Sequence, residues 1–123
     1  MKTKFFLPIA LLIFVLLAAC GGSPEPTPIG DATAGGAKYA STCVSCHGPD
    51  AKGLPALGKD LTTSEFFKTT PDVDLVAFVT HGRPPSDPAN TTGVDMPPKG
   101  GNPALTEQDL KDIVSYLRTL QVP

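Results

Sequence analysis

Two cysteines and a histidine stand close together in the chain, in the segment Cys43-Val44-Ser45-Cys46-His47. Two thiols three positions apart on one helical turn can reach the two vinyl groups on one edge of a porphyrin, while the adjacent imidazole reaches its iron. This spacing is the attachment signal for a c-type haem. The motif therefore predicts one covalently bound haem c, with Cys43 and Cys46 forming the thioethers and His47 the first axial ligand.

Other chemistries of a Cys-x-x-Cys pair fit the chain less well. A thioredoxin-like site needs a βαβ context, and no strand pattern surrounds the motif. A zinc site needs a second Cys or His pair at close spacing, whereas the other histidine, His81, stands alone. A disulfide between Cys43 and Cys46, which an exported domain would allow, would be cramped.

The haem iron also needs a sixth ligand or an open position, and His and Met are the usual donors in electron-transfer haems. The candidates are Met96 and His81. Met96 precedes Pro97-Pro98 in a Pro- and Gly-rich loop, where proline lowers the ordering cost of placing a thioether and a gap-filling Met would find little core. His81 stands at a predicted helix C-terminus, where the helix dipole favours an imidazolium. Met96 is therefore the predicted second axial ligand.

Composition and hydrophobic pattern predict an all-α domain with long loops. The 123 residues include 14 Pro and 12 Gly and carry a formal net charge of -2, so the basic stripe of a nucleic-acid binder is absent. Helices are predicted over 31–42, 64–69 and 71–80 and again after Thr106. Pro and Gly dominate residues 82–104, which are expected to form a loop.

Caps and apolar faces define the expected ends and packing of these helices. Asp31 or Thr33 is expected to cap the first helix and Thr70 the third. Thr106 and Asp109 form a capping-box-like pair at the start of the last. The expected apolar side of the third helix consists of Val73, Val76, Ala77 and Thr80. That of the last helix consists of Leu110, Ile113, Val114, Leu117 and Leu120.

The N-terminus predicts export and a membrane tether. A short positive start and an apolar run too short to span a bilayer make residues 1–19 a predicted secretory signal. The run ends in Leu17-Ala18-Ala19-Cys20, which resembles the bacterial lipobox, so Cys20 is expected to be lipidated; an uncleaved anchor is the alternative. Residues 20–30 then form a Pro-rich tether, and residues 31–123 the folded domain. The domain is thus expected on the outer, periplasmic or extracytoplasmic face of a bacterial membrane.

From Gly30 to Gln121 the chain resembles the class I cytochromes c. Gly35 and Tyr39 match the family's first-helix glycine and aromatic residue, and Ile113 and Tyr116 match the last-helix positions that cross the first helix. The resemblance implies a class I cytochrome c-like fold, with three to five short helices wrapped around one covalent haem.

Two further segments carry the resemblance. Residues 53–58, Gly-Leu-Pro-Ala-Leu-Gly, resemble the segment beneath the proximal histidine, and Met96-Pro97 resembles the Met-Pro of the distal loop. The match implies that the Pro55 carbonyl accepts a hydrogen bond from the proximal imidazole and that Leu57 packs on the haem. The chain departs from the family in residues 83–94, a Pro-, Asn- and Thr-rich insertion.

The resemblance implies a carrier of single electrons rather than an enzyme, working with a respiratory or photosynthetic membrane complex. A carrier needs both axial positions filled, which Met96 provides. A haem enzyme or a gas or redox sensor, the alternative, needs a displaceable sixth ligand and a distal base, for which His81 is the best residue. More narrowly, the lipoprotein signal and the long loop before Met96 resemble the monohaem subunit of alternative complex III, a quinol-oxidising complex of some bacteria. A free, lipid-tethered shuttle would show the same motifs.

Overall fold

The computed structural model describes residues 27–123, so the predicted signal, Cys20 and the first part of the tether lie outside the described residues. The helices are α1 Ala32–Thr42, α2 Val44–His47, α3 Glu65–Thr69, α4 Asp72–His81 and α5 Glu107–Thr119, with a 3-10 turn over Pro98–Gly101. Between residues 27 and 123 the only extended pairing is an isolated bridge between Arg83 and Met96. The predicted all-α fold of three to five short helices is confirmed.

The corner between α1 and α2 presents the Cys-x-x-Cys-His motif. α1 begins because the Asp31 carboxylate accepts hydrogen bonds from the backbone N–H groups of Thr33 (2.7 Å) and Ala34 (3.2 Å), which is how an N-cap satisfies the first turn. The chain turns at Cys43 into α2, which ends at Gly48 with a φ of 76°. Glycine adopts this left-handed conformation without a steric cost, so the chain leaves the motif in a sharp turn.

α5 crosses α1 at close range. The Thr106 hydroxyl accepts a hydrogen bond from the Asp109 N–H (3.1 Å), and the Thr106 N–H donates to the Asp109 carboxylate (2.8 Å), which confirms the predicted capping box. The buried face of α5 includes the predicted residues Leu110, Ile113, Val114 and Leu117. At the crossing, a Cβ on Gly35 would overlap the carbonyl oxygen of Asp112. Only glycine fits there, because the obstacle is backbone.

Arg118 of α5 joins the last helix to the corner between α3 and α4. Its guanidinium lies 2.8 Å from the Asp72 carboxylate and donates to the carbonyl oxygens of Phe67 and Thr70, each at 2.6 Å. It also lies 4.8 Å from the centroid of the Phe67 ring. Because both carbonyls and the carboxylate are satisfied by one planar fork, the short α3 is held in place without a large apolar face.

Two predictions for α4 are wrong. Thr70 does not cap the helix; its hydroxyl donates instead to the Phe66 carbonyl at 2.5 Å. Val73 and Ala77, predicted to be on the apolar side, are exposed, Val73 by 65%, while Leu75 and the predicted Val76 are buried. The segment from Val73 to Val79 is apolar on nearly every side, so periodicity cannot select the buried face, which is set by packing against α5.

The folded contacts begin just before the predicted domain boundary at Asp31. Ile29 packs against the core, the Gly30 N–H donates to Ser115 Oγ (2.9 Å), and the Asp31 N–H donates to the Asp112 carboxylate (2.8 Å). The chain therefore enters the domain along α5. No helix within residues 27–123 has the length and apolar character needed to cross a membrane.

Candidate haem site

The residues predicted to bind haem line a single cleft, with one exception. The cleft lies between the α1–α2 corner, the loop that follows it, the facing parts of α3 and α4, and the loop that precedes the 3-10 turn. Its lining includes Cys43, Cys46, His47, Leu57 and Met96. The fold thus brings Met96 to the Cys-x-x-Cys-His motif from a distant point of the sequence. The exception is Pro55, which is absent from the lining.

Neither cysteine of the motif forms a disulfide, and both are partly buried. Burial, with a smaller contribution from the neighbouring Cys46, raises the pKa of the Cys43 thiol to about 11. Before haem attachment this thiol therefore stays protonated at neutral pH. Within residues 27–123 no group of three His, Cys, Asp or Glu side chains is arranged to hold a metal ion. The donor set of the cleft, two thiols with an imidazole and a thioether, fits a covalently bound haem.

The orientation of His47 leaves one ring nitrogen free for a metal. Nδ1 lies 3.0 Å from the carbonyl oxygen of Lys59. Because a carbonyl only accepts hydrogen bonds, Nδ1 must carry the proton, and Nε2 keeps its lone pair. Such a bond fixes the tautomer of a metal-binding histidine and raises its basicity.

The prediction that Pro55 supplies this carbonyl is wrong. Pro55 is exposed, and the loop reaches His47 four residues later. A Cβ on Gly58 would overlap the Cys46 carbonyl and lie 3.1 Å from His47 Nδ1. The missing side chain at Gly58 therefore lets the loop pass beneath the imidazole, and the carbonyl of Lys59 follows at once.

Leu57, predicted to pack on the haem, lines the cleft and is 43% exposed. Most of the other apolar lining was not predicted. These residues are Leu61, Phe66, Phe78 and Val79. Arg83 also lines the cleft, and its guanidinium lies 4.9 Å and 4.6 Å from the ring centroids of Phe66 and Phe78. Arg83 and these apolar residues have no fixed spacing to the haem motif, so no pattern in the sequence identifies them.

Met96 is held through its backbone, whereas His81 lies away from the cleft. The Arg83 N–H donates to the Met96 carbonyl (2.7 Å), and the Met96 N–H donates to the Arg83 carbonyl (3.0 Å). A Cβ on Gly82 would overlap the Met96 carbonyl, so the glycine after α4 permits this approach. His81 is exposed, with Nδ1 2.7 Å from the Ala77 carbonyl, and is not part of the lining.

A separate hollow of about 910 Å³ lies between residues 27–29, the α3–α4 corner and the C-terminus. None of the predicted haem residues lines it. Arg118, which is part of its lining, is bonded to Asp72 and to two carbonyls.

Comparison with known proteins agrees with this geometry. The family described as "Cytochrome C oxidase, cbb3-type, subunit III" matches residues 30–117. The cbb3-type cytochrome c oxidase subunit CcoP of Rhodobacter capsulatus is 33% identical over 99 residues, which are 80% of this chain and 32% of that protein. The chain therefore spans about a third of the length of this relative. No solved structure gives a significant match.

Two relatives match over nearly their whole length. Cytochrome c-555 of Chlorobaculum thiosulfatiphilum is 33% identical over 87 residues, covering 71% of this chain and 93% of the relative. Cytochrome c-554(547) of Halothiobacillus neapolitanus is 36% identical over 96 residues, covering 75% of this chain and 99% of the relative. The chain therefore belongs to the cytochrome c family as a class I-like domain, a family whose members carry a single covalently bound haem c.

Proposed function

We propose that Cys43 and Cys46 bind the haem through thioether bonds and that His47 and Met96 hold its iron, so that the domain passes single electrons. The observation that carries the proposal is the shared cleft, in which Met96 joins the three motif residues. The haem iron supplies the one-electron chemistry, and the protein supplies attachment, orientation and shielding.

The chain's own contribution is to fix both axial donors. Lys59 orients His47 through its carbonyl, at 3.0 Å from Nδ1. Arg83 fixes the backbone of Met96 through two hydrogen bonds. Because His and Met together raise the reduction potential of a c-type haem, this donor set suits a carrier. Leu57 adds an apolar surface to the cleft.

The geometry disfavours the alternative of a haem enzyme or sensor with a displaceable sixth ligand. A distal base has to stand within hydrogen-bond reach of the reacting group. The best candidate from the sequence, His81, is exposed and outside the cleft lining. Its Nδ1 is bonded to the Ala77 carbonyl on its own helix.

The axial assignment is tested by spectroscopy of the ferric protein. We expect the weak long-wavelength charge-transfer band that arises from sulfur-to-iron ligation, and we expect Met96→Ala to abolish it and lower the reduction potential. His81→Ala is the matched control and should leave the band in place. Loss of the band in the His81 variant, or its absence from the unaltered protein, would contradict the assignment. Haem that separates from the polypeptide on acid-acetone extraction would contradict the thioether bonds.

We also propose that the domain is exported and tethered by a lipid on Cys20 to the outer face of the membrane, next to a membrane-bound electron-transfer complex. Support comes from Leu17-Ala18-Ala19-Cys20 and from relatives named as subunits of a cbb3-type oxidase. The complex is a quinol-oxidising one of the alternative complex III type or a terminal oxidase. Two acyl chains anchor a protein stably where one does so only marginally.

Two measurements test the tether and the partner. Mass spectrometry of the mature N-terminus should find an acylated Cys20; an intact Met1 would contradict this. Cys20→Ala should leave haem attachment intact and should either block signal processing or release the domain into the soluble fraction. Mild detergent extraction should recover the cytochrome with the subunits of one membrane complex. Recovery as a single polypeptide would instead favour a free, tethered shuttle.

A further inference from the structure

Residues 83–96 form a closed loop, and Met96 lies at its end. The two backbone hydrogen bonds between Arg83 and Met96 close the loop like the last pair of a hairpin. None of the residues in the loop is fully buried, so an apolar core cannot hold its shape. Three prolines, Pro84, Pro85 and Pro88, also remove backbone donors. The conformation must therefore depend on other polar contacts.

We propose that Asn90 is the positioning residue that holds this loop closed and so keeps Met96 on the haem iron; the inference rests on the proposed ligation by Met96. The amide nitrogen of Asn90 donates towards the carbonyl oxygens of Val94 (2.7 Å), Pro84 (3.2 Å) and Arg83 (3.4 Å). These carbonyls belong to both ends of the loop. One side chain thus bridges the outgoing and returning strands next to the pair that carries Met96.

The amide oxygen of Asn90 orders the strand of the loop that returns to Met96. Asn90 Oδ1 accepts hydrogen bonds from the Gly93 N–H (2.9 Å), the Thr92 N–H (3.2 Å) and the Thr92 hydroxyl (3.2 Å). The nitrogen faces only carbonyls and the oxygen faces only donors, so the amide has one orientation that satisfies both. A carboxylate of the same shape would place a second acceptor against three carbonyls.

The start of the loop is anchored independently of Asn90. The Arg83 guanidinium packs over the rings of Phe66 and Phe78. Asn90 therefore links Met96 to a fixed point on α3 and α4. A donor that is already in place loses little entropy on binding. It is also harder to displace, because an external ligand binds only the fraction of molecules in which the native donor has left.

Imidazole affinity of the ferric protein tests this role. The neutral form of imidazole competes for the sixth position, so binding measured above the pKa of imidazole is little biased by a charge added by substitution. Asn90→Asp should raise the imidazole association constant roughly tenfold, as expected for the loss of one or two hydrogen bonds. Thr92→Val removes one donor to Asn90 and the acceptor of the Val94 N–H, but leaves the Asn90 amide in place, and should raise the association constant about threefold. Thr91→Ala, an exposed neighbour in the same loop, should leave the affinity unchanged.

The outcomes separate this role from a general effect on folding. Tighter imidazole binding in the Asn90 and Thr92 variants, with denaturant midpoints close to that of Thr91→Ala, supports positioning. A lower denaturant midpoint with unchanged imidazole affinity overturns it. If Asn90→Asp fails to fold, Thr92→Val decides, and unchanged affinity there overturns the proposal. An unaltered protein without the sulfur-to-iron band overturns the ligation by Met96 and, with it, the role of Asn90; an intact band with unresponsive variants overturns the role of Asn90 alone.

Discussion

The crossing of α1 and α5 and the loop 83–96 hold their residues by different means. At the crossing, Gly35 lets two helix backbones touch, and the rings of Tyr39 and Tyr116 pack with centroids 5.5 Å apart. The loop has no buried residue and takes its shape from polar contacts, among them one amide side chain, a pair of backbone hydrogen bonds and an ion pair between Arg83 and Asp87.

This contrast assigns two different properties to the two regions. Burial of apolar surface is the main source of folding free energy, so the crossing should control global unfolding. The loop contributes little burial, so it should control exchange of the sixth ligand, a local opening that costs less than unfolding. Substitutions that separate unfolding from imidazole binding therefore test the comparison directly.

The largest effect on unfolding is expected from Leu117→Ala in α5. Leu117 is 5% exposed and belongs to the core, so truncation loses its burial and leaves a cavity, at a cost of about 2–5 kcal/mol. Urea unfolding followed by circular dichroism measures it. Val73→Ala is the control, because Val73 is 65% exposed. A cost below roughly 0.5 kcal/mol for Leu117→Ala, the range of surface substitutions, would place this face in solvent or at a partner interface.

The next largest loss of stability is expected from Gly35→Ala. In an isolated helix alanine is favoured over glycine by about 1 kcal/mol. Here the new Cβ would overlap the Asp112 carbonyl, so we expect a net loss of about 1–3 kcal/mol, as for other overpacked sites. Gly36→Ala is the matched control: its Cβ would lie 3.3 Å from the Tyr116 ring, a side chain that can shift. A Gly35→Ala protein more stable than the unaltered one would refute the close crossing.

The sequence predicts the helix caps at the crossing far better than it predicts the buried face of α4. Helix caps and apolar spacing are local patterns, and Asp31, Thr106 and Asp109 all cap as expected. The choice of face on α4 is not local: its residues are apolar on nearly every side, and only contact with α5 decides that Leu75, and not Val73, is buried.

The residues of the candidate site also differ in how well the sequence predicts them. The attachment motif is a fixed spacing, so Cys43, Cys46 and His47 are readable from the chain, and a Met in a Pro-rich loop has few competitors. The partner of His47 is a backbone carbonyl, which has no residue type to recognise. Its position depends on where the loop can approach, and Gly58 rather than Pro55 decides that. Asn90 acts on carbonyls in the same way, so its role had no sequence pattern.

A smaller effect is expected at the start of α5, at the edge of the crossing. Thr106→Ala removes the hydroxyl that accepts the Asp109 N–H and should lower the free energy of unfolding by about 1 kcal/mol, as at other N-caps. Thr106→Ser keeps the hydroxyl and should restore most of the loss. Equal losses for both would show that the methyl group, and not the cap, matters. Imidazole affinity should be unchanged in both, because the cap does not contact loop 83–96.

The smallest effect is a pH dependence of unfolding that belongs to Asp109. Its carboxylate accepts hydrogen bonds from the N–H and hydroxyl of Thr106, each at 2.8 Å, and lies 3.0 Å from the Lys38 ammonium. The Thr106 bonds, and after them Lys38, lower the pKa of Asp109 from 3.8 to about 2. Since the folded pKa is the lower one, this contribution is present above pH 3.8 and is lost as the pH falls towards about 2.

Asp109→Asn isolates that contribution. The amide oxygen can still accept from Thr106 but does not titrate, so the urea midpoint of this variant should fall less between pH 4 and pH 2 than that of the unaltered protein. Lys38→Gln removes only the weaker influence and should keep most of the pH dependence, because backbone and hydroxyl donors do most to hold the carboxylate ionised. Comparing variants at equal pH cancels any acid release of the haem ligands, which all three share. Parallel profiles for Asp109→Asn and the unaltered protein would mean that the cap at the α1–α5 crossing is open in solution. If Lys38→Gln loses the pH dependence instead, its source is the ion pair between the two helices and not the cap.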